Sequence, residues 1–179
     1  KAFVRHNGQS SGAVRIAADS DAVEYLSTPG ARYVLRWRGE FLSSGAVRLA
    51  SAKGSRRQRV LTFQLSDDFR ILTNTLGWQS PASAIGSTPV TQPAEYNVRT
   101  GSAEAVLKGF VTANAVTRLG RPLTVATNLN RGSTITVQAR MDKLTDVLFP
   151  LVDQAGIGVT VRQVGTGLVL DCYTPATFP

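Results

Sequence analysis

The sequence predicts an α+β protein. A β-rich, barrel-like first module is followed by an α+β module in which two helices pack on a mainly antiparallel sheet. Three observations carry that reading. Apolar residues recur at every second position through much of residues 3–65, the period of half-buried strands. Two stretches of the second half, AEAVLKGFVTANAV and KLTDVLFPLVDQAG, carry the helical period instead, each behind its own start signal. Between the halves, WQSPASAIGSTPVTQPAE has no periodicity and is broken by Pro81, Gly86, Pro89 and Pro93. The expected organisation is therefore a module over 1–77, a linker over 78–95 and a second module over 96–179.

In the first module, residues 3–18 alternate loosely and break at Asn7-Gly8. In GAVRIAA, Val14 and Ile16 share one face and Arg15 takes the other. Val23 and Leu26, three apart, predict a helical turn or two over 19–26, closed by Pro29-Gly30. Next, Tyr33, Leu35 and Trp37 are expected on an inner face, with Val34, Arg36 and Arg38 outside. Gly39-Glu40 is read as a tight hairpin turn, after which Phe41 and Leu42, and later Ala46, Val47 and Leu49, resume strands. A basic knuckle, Lys53-Gly54-Ser55-Arg56-Arg57, leads to RVLTFQLS, in which Leu61, Phe63 and Leu65 alternate with polar neighbours. Antiparallel strands on short loops are expected to curl, which also protects their edges. Ser66 is read as the N-cap of a helix through DDFRILTNTLG, with Phe69, Leu72 and Leu76 on its buried face. Trp78 is expected to plug this module's edge.

In the second module, Thr100 or Ser102 is positioned to cap the first helix, with Glu104 near its positive end. Val106, Leu107, Phe110, Val111 and Ala113 form its apolar stripe, and Gly109 marks a close approach. PLTVATN and STITVQA read as strands on either side of a turn at 128–132. A second helix is expected from Asp142, with Leu144, Val147, Leu148, Leu151, Val152 and Ala155 inward, Pro150 inside it and Gly156 as its C-cap. GVTVRQV and GLVLDCY then form a hairpin about Gly165-Thr166-Gly167. The strands near 123, 135, 159 and 168 are expected in one sheet.

Composition narrows the chemistry. The chain of 179 residues carries 20 Lys and Arg against 12 Asp and Glu, a net charge of +8. Residues 1–79 hold 12 of the basic and 6 of the acidic residues, so the first module is the more positive. A basic surface suits an acidic protein partner or nucleic acid. The alternation about Tyr33–Arg38 separates aromatic from basic side chains, which is unlike a base-stacking platform. The candidate interface residues are Arg36, Arg38, Arg56, Arg57 and Arg59.

Catalytic patterns are missing. With a single histidine, His6, the sequence lacks an imidazole beside a nucleophile, and Cys172 is read as a buried or interface thiol. No HExxH, CxxC or phosphate-loop motif occurs, so no metal or cofactor is expected. Asp67 with Asp68 and Asp142 with Asp146 read as capping or solvated residues, not as a glycosidase or two-metal pair. No run of eighteen apolar residues exists, and no membrane segment is expected. Lys1 in first place and the abrupt end at TPATFP read as cuts in a longer polypeptide.

Two stretches together resemble a known family. RYVLRWRGEFLSSGAVRLASAKG with RVLTFQLSDDFRILTNTLGW resembles the sheet-and-short-helix region of siphophage tail-hub proteins. TGSAEAVLKGFVTANAV, RGSTITVQARMDKLTDVLFPLVDQAGIGVTVRQ and GLVLDCY resemble their helix–strand–helix–strand unit. Gly101, Ala103, Glu104, Phe110, Val111, Asn114, Arg140, Leu144, Leu148 and Gly156 carry the more specific part. The family is the minor tail or baseplate-hub proteins of long-tailed phages of actinobacteria and relatives. The resemblance implies a virion structural protein of the tail tip, assembled in the host cytoplasm, without catalytic residues. It implies a homotrimer whose barrel-like domains close a ring around the exit channel for DNA and the tape-measure protein. Implied partners are the distal tail protein above and the tip or receptor-binding proteins below. Two other classes fit parts of the sequence: a tail-associated cell-wall-degrading enzyme domain, and a nucleic-acid-binding module.

Overall fold

Strand-forming alternation in the first half and helical periodicity in the second resolve into an α+β fold: a curled antiparallel half-barrel sheet, then a module of helices packed on mixed sheet. The computed structural model describes residues 2–55, 59–83 and 94–175. The chain forms two compact units, Lys1–Arg70 with Val161–Gln163, and Ile71–Thr160 with Val164–Pro179.

The first unit is built on β1 (Ala2–Phe3), β2 (Ser11–Ala17), β3 (Arg32–Trp37), β4 (Glu40–Lys53) and β5 (Val60–Asp67), with α1 (Ala22–Ser27) between β2 and β3. The strand order is β1-β2-β5-β4-β3, antiparallel throughout. What reads in the sequence as separate strands from Phe41 to Leu49 is one fourteen-residue strand, β4. Its register shifts between Leu49 and Ser51, and the β3–β4 pairing shifts between Leu35 and Arg36. Such irregularities bend a strand and increase its twist, which suits a curled sheet. Val47, Leu61 and Phe63 form the buried centre, and Val23 and Leu26 of α1 pack against it with Ile16, Ala31, Tyr33 and Leu65.

Two local expectations fail in this unit. Ser66 is not a helix cap, because β5 runs on to Asp67 and only Arg70–Thr73 is helical (α2). Ser66 pairs with both Ser11 and Ala46, so ladder bonds on either side hold it extended. Trp37 does not join the inner face. It is 64% exposed, because it ends β3 beside the turn and the register shift before Arg36 interrupts the alternation.

In the second unit, α3 (Ala103–Val111) continues through a π-helical segment, Thr112–Arg118. Ser102 supplies the cap, its hydroxyl accepting from the Ala105 N–H at 3.3 Å. The helix α4 spans Leu144–Gln154 and ends with the Gly156 N–H on the Asp153 carbonyl and the Ile157 N–H on the Val152 carbonyl. That pairing is a Schellman closure, with Gly156 at φ 70°. Asp142 does not begin this helix. Asp142–Lys143 forms a short strand paired antiparallel with Leu76–Gly77, and the helix starts two residues later. Within the unit α3 and α4 pack on each other. Leu107, Phe110, Leu144, Leu148 and Val152 contribute fully buried side chains.

The strands near 123, 135, 159 and 168 do not share one sheet. Leu123–Val125 pairs parallel with Gly167–Tyr173, which neighbours Gly158–Val164. Thr134–Ala139 pairs antiparallel with Asn97–Ser102 and packs against both helices. The reason is local. Residues 97–102 carry a cap signal in the sequence but also alternate half-buried Asn97 and Arg99 with exposed Val98 and Thr100, and as a strand they supply the partner.

Candidate interface

Of the five arginines singled out in the sequence, the three among the described residues, Arg36, Arg38 and Arg59, lie in two separate places. Arg36 and Arg38 flank Trp37 at the tip of the β3–β4 hairpin, all three exposed. Trp37 pairs with Glu40, so the turn is Arg38-Gly39, one residue earlier than the sequence suggests. Both turn residues have positive φ, 52° and 88°, the pattern of a two-residue type I′ hairpin, for which Asn-Gly is the favoured pair. Arg38 occupies the left-handed position despite its Cβ, and its guanidinium lies 5.9 Å from the Trp37 ring centroid. Arg36 donates from Nη1 to the Gly39 carbonyl at 3.0 Å. Arg59 lies just before β5, at the other end of β4, exposed, its carbonyl accepting from the Ala18 N–H at 2.9 Å. A fourteen-residue strand puts roughly 40 Å of contour between the two places. Arg56 and Arg57 lie outside the described residues.

The acidic residues weighed as catalytic pairs are consumed by structure. Asp67 accepts from the Ser10 N–H at 2.8 Å and the Phe69 N–H at 3.0 Å. Asp68 accepts from the Ser44 hydroxyl at 2.6 Å and pairs with Arg32. Asp142 accepts from the Arg140 N–H at 2.9 Å, and Asp146 meets the Thr145 hydroxyl at 3.2 Å. Among the described residues no group of three or more His, Cys, Asp or Glu could hold a metal ion. No helix among them is long and apolar enough to cross a membrane.

A charged cluster that the sequence reading missed lies at the start of α3. Glu104 has no exposed surface. Its carboxylate accepts from Lys108 Nζ at 2.6 Å and from the N–H, Nε and Nη2 of Arg131 at 2.9, 3.0 and 2.9 Å. Lys108 also donates to the Thr127 carbonyl at 2.8 Å, and both cations reach Asp171 at 3.3 Å. Arg131 beside it holds the Glu104 carboxyl well below the usual carboxylate range, against the opposing effect of burial. Glu104 in turn raises Arg131. The loop bearing Arg131 is thereby fastened to the helix start. Gly132 lets it lie close, at φ 82°, where a Cβ would come within 2.7 Å of Ile157 and 3.0 Å of Ala103. The Glu104–Lys108 spacing is visible in the sequence as a helical i, i+4 pair. Arg131 and Asp171 join it only through the tertiary fold.

Cys172 is buried, and burial pushes its thiol up to about 12, the opposite of what a nucleophile needs. The buried charges of the Glu104 cluster therefore bind the protein to itself. No curated protein matches the sequence. The profile of the siphovirus ReqiPepy6 Gp37-like protein family matches residues 2–178, nearly the whole chain, and the protein belongs to that family of phage tail and baseplate proteins.

Proposed function

We propose that this chain is a structural subunit of the phage tail tip, forming the hub ring that joins the tail tube to the tip and receptor-binding apparatus around the DNA exit channel. Its role is scaffolding, with no chemistry of its own. The observation that carries this reading is the open sheet of the first unit. Among the described residues its edge strand β3 has a strand neighbour on one side only, and it bears exposed Val34, Arg36 and Trp37, with Arg38 at the adjoining turn. An exposed edge is a template for pairing with another chain, and natural monomers protect such edges. An aromatic residue flanked by arginines has the composition of an interface centre. Closure of three half-barrels edge to edge satisfies those unpaired groups in the manner of cyclic oligomers.

The partners follow from that reading: two further copies of this chain, the distal tail protein on one face, and tip or receptor-binding proteins on the other. DNA and the tape-measure protein pass through without lasting contact. The setting is the virion tail tip, after assembly in the host cytoplasm. The protein is expected to form a trimer by light scattering, and a ring by electron microscopy, with interfaces above roughly 1,000 Å². A strict monomer that joins no tail protein of the same phage would sink the proposal.

A further inference from the structure

We propose that a hollow beside Arg99, in the second unit, is a carboxylate-binding site that receives an acidic side chain from a neighbouring tail subunit. It deepens the assembly reading and rests on it for the source of the carboxylate. The hollow has a volume of about 410 Å³ and is walled by Pro81, Arg99, Gly109, Thr112, Ala113 and Thr117. That size lies within the range of pockets that hold small organic groups.

Arg99 is half-buried on the face of its strand that it shares with Asn97, and no acidic residue pairs with it among the described residues. Its Nε is buried with no acceptor. Burial lowers its pKa, with no neighbouring carboxylate to offset the effect. Its guanidinium lies 5.3 Å from the Phe110 ring centroid, which holds the plane without satisfying any N–H. The other half-buried or buried cations of this unit are supplied. Lys108 and Arg131 share Glu104 and Asp171, and Arg118 donates to the Pro81 and Ser83 carbonyls at 3.1 and 2.8 Å. Arg118 Nε is also buried without an acceptor, so what sets Arg99 apart among the described residues is that none of its N–H groups meets an acceptor.

The wall opposite is shaped for that fork. A Cβ at Gly109 would fall 2.7 Å from Nη1 of Arg99, so the glycine leaves the space the guanidinium occupies. The π-helical segment begins at Thr112, and widened turns of this kind recur at functional sites. Thr112 and Thr117 add hydroxyls that donate to a bound oxygen. One guanidinium with two hydroxyls matches a singly charged, planar carboxylate, which arginine binds through paired N–H groups. A phosphate would call for a second converging cation, but Lys108, beside Gly109, is engaged by Glu104 and Asp171, and Arg118, beside Thr117, is held over the Trp78 ring at 3.8 Å. With 20 basic and 12 acidic residues, the chain has fewer carboxylates than cations, so an external one is the natural complement.

The test is a titration of the ¹⁵N-labelled chain, following the Arg99 Nε–Hε resonance. The probes are N-acetyl-glutamate N-methylamide, its glutamine counterpart and inorganic phosphate. The glutamate compound is expected to shift that resonance saturably and about tenfold more tightly than the glutamine compound, as a charge-assisted pair exceeds a neutral one. The shift is expected to vanish in Arg99→Gln. In Gly109→Ala, which favours the helix yet displaces Nη1, it should weaken several-fold. Arg99→Gln should also form fewer oligomers than the parent by light scattering, with unchanged circular dichroism. An Hε resonance that ignores glutamate up to roughly 100 mM, responds equally to glutamine, or responds more tightly to phosphate overturns the site. Because the titration uses the isolated chain, that failure leaves the assembly reading standing.

Discussion

Glu104 is held by two cations, and its value to the fold depends on pH in a definite direction. It accepts from Lys108 and three times from Arg131 while wholly removed from solvent. Arg131 depresses its pKa in the folded protein, so its stabilisation is full above the unfolded carboxylate value and fades as pH falls below it. Removing the charge in Glu104→Gln strands two buried or half-buried cations with only Asp171 and carbonyls, a loss of about 3 kcal/mol near pH 7. The parent should lose its advantage over this variant by about 1.4 kcal/mol per pH unit beneath roughly 4.3, where unfolded Glu takes up its proton first. Urea denaturation at neutral pH and at about pH 3 measures both numbers. An equal gap at the two pH values would show that Glu104 acts through packing alone.

At the level of elements, α4 shows where sequence periodicity is a sound guide. Leu144, Leu148 and Val152 recur every four residues, and all three are essentially unexposed. Leu148→Ala should therefore cost about 2–4 kcal/mol through lost burial and the cavity left behind. A melting temperature within a degree or two of the parent would mean that this face is not the core face. Pro150 sits in the same helix on its exposed side, so its ring meets solvent while the helix runs on to Gln154. The apolar stripe of α3 was legible for the same reason, but its polar part was not. Asn114 is buried because its amide donates to the Phe110 carbonyl at 2.9 Å while its oxygen accepts from the Trp78 N–H at 2.8 Å. Those bonds bring Trp78 into the second unit, with Arg118 stacked on its ring, instead of leaving it at the edge of the first module. Helical period reports which residues are apolar, and it says nothing about a polar residue that finds its partners across the fold. The boundary of α2 failed on the same ground, since Ser66 has equal claim to a cap and a strand until its ladder partners are known. Arg99 stayed hidden because a site made of a missing counter-ion has no pattern along a sequence.

For the molecule as a whole, the question is whether its net charge of +8 serves nucleic acid or assembly. Arg36 and Arg38 are at one end of β4 and Arg59 is at the other, so these residues do not converge on one stretch of phosphate backbone. A channel that DNA must cross quickly is also poorly served by tight phosphate contacts, each of which raises affinity and its salt dependence. Arginine's planar fork suits carboxylates and carbonyls of a neighbouring subunit equally well. Changing Arg56, Arg57 and Arg59 together to serine is therefore expected to weaken association with a tail partner by more than it changes the folding stability of the isolated chain. The competing outcome is measurable by fluorescence anisotropy with a short labelled duplex. At about 0.15 M salt the assembly reading predicts no binding at micromolar strength, and weak binding only at low ionic strength, as any surface of this charge shows. Micromolar or tighter binding that falls steeply with salt and disappears in the triple variant would assign these arginines to DNA.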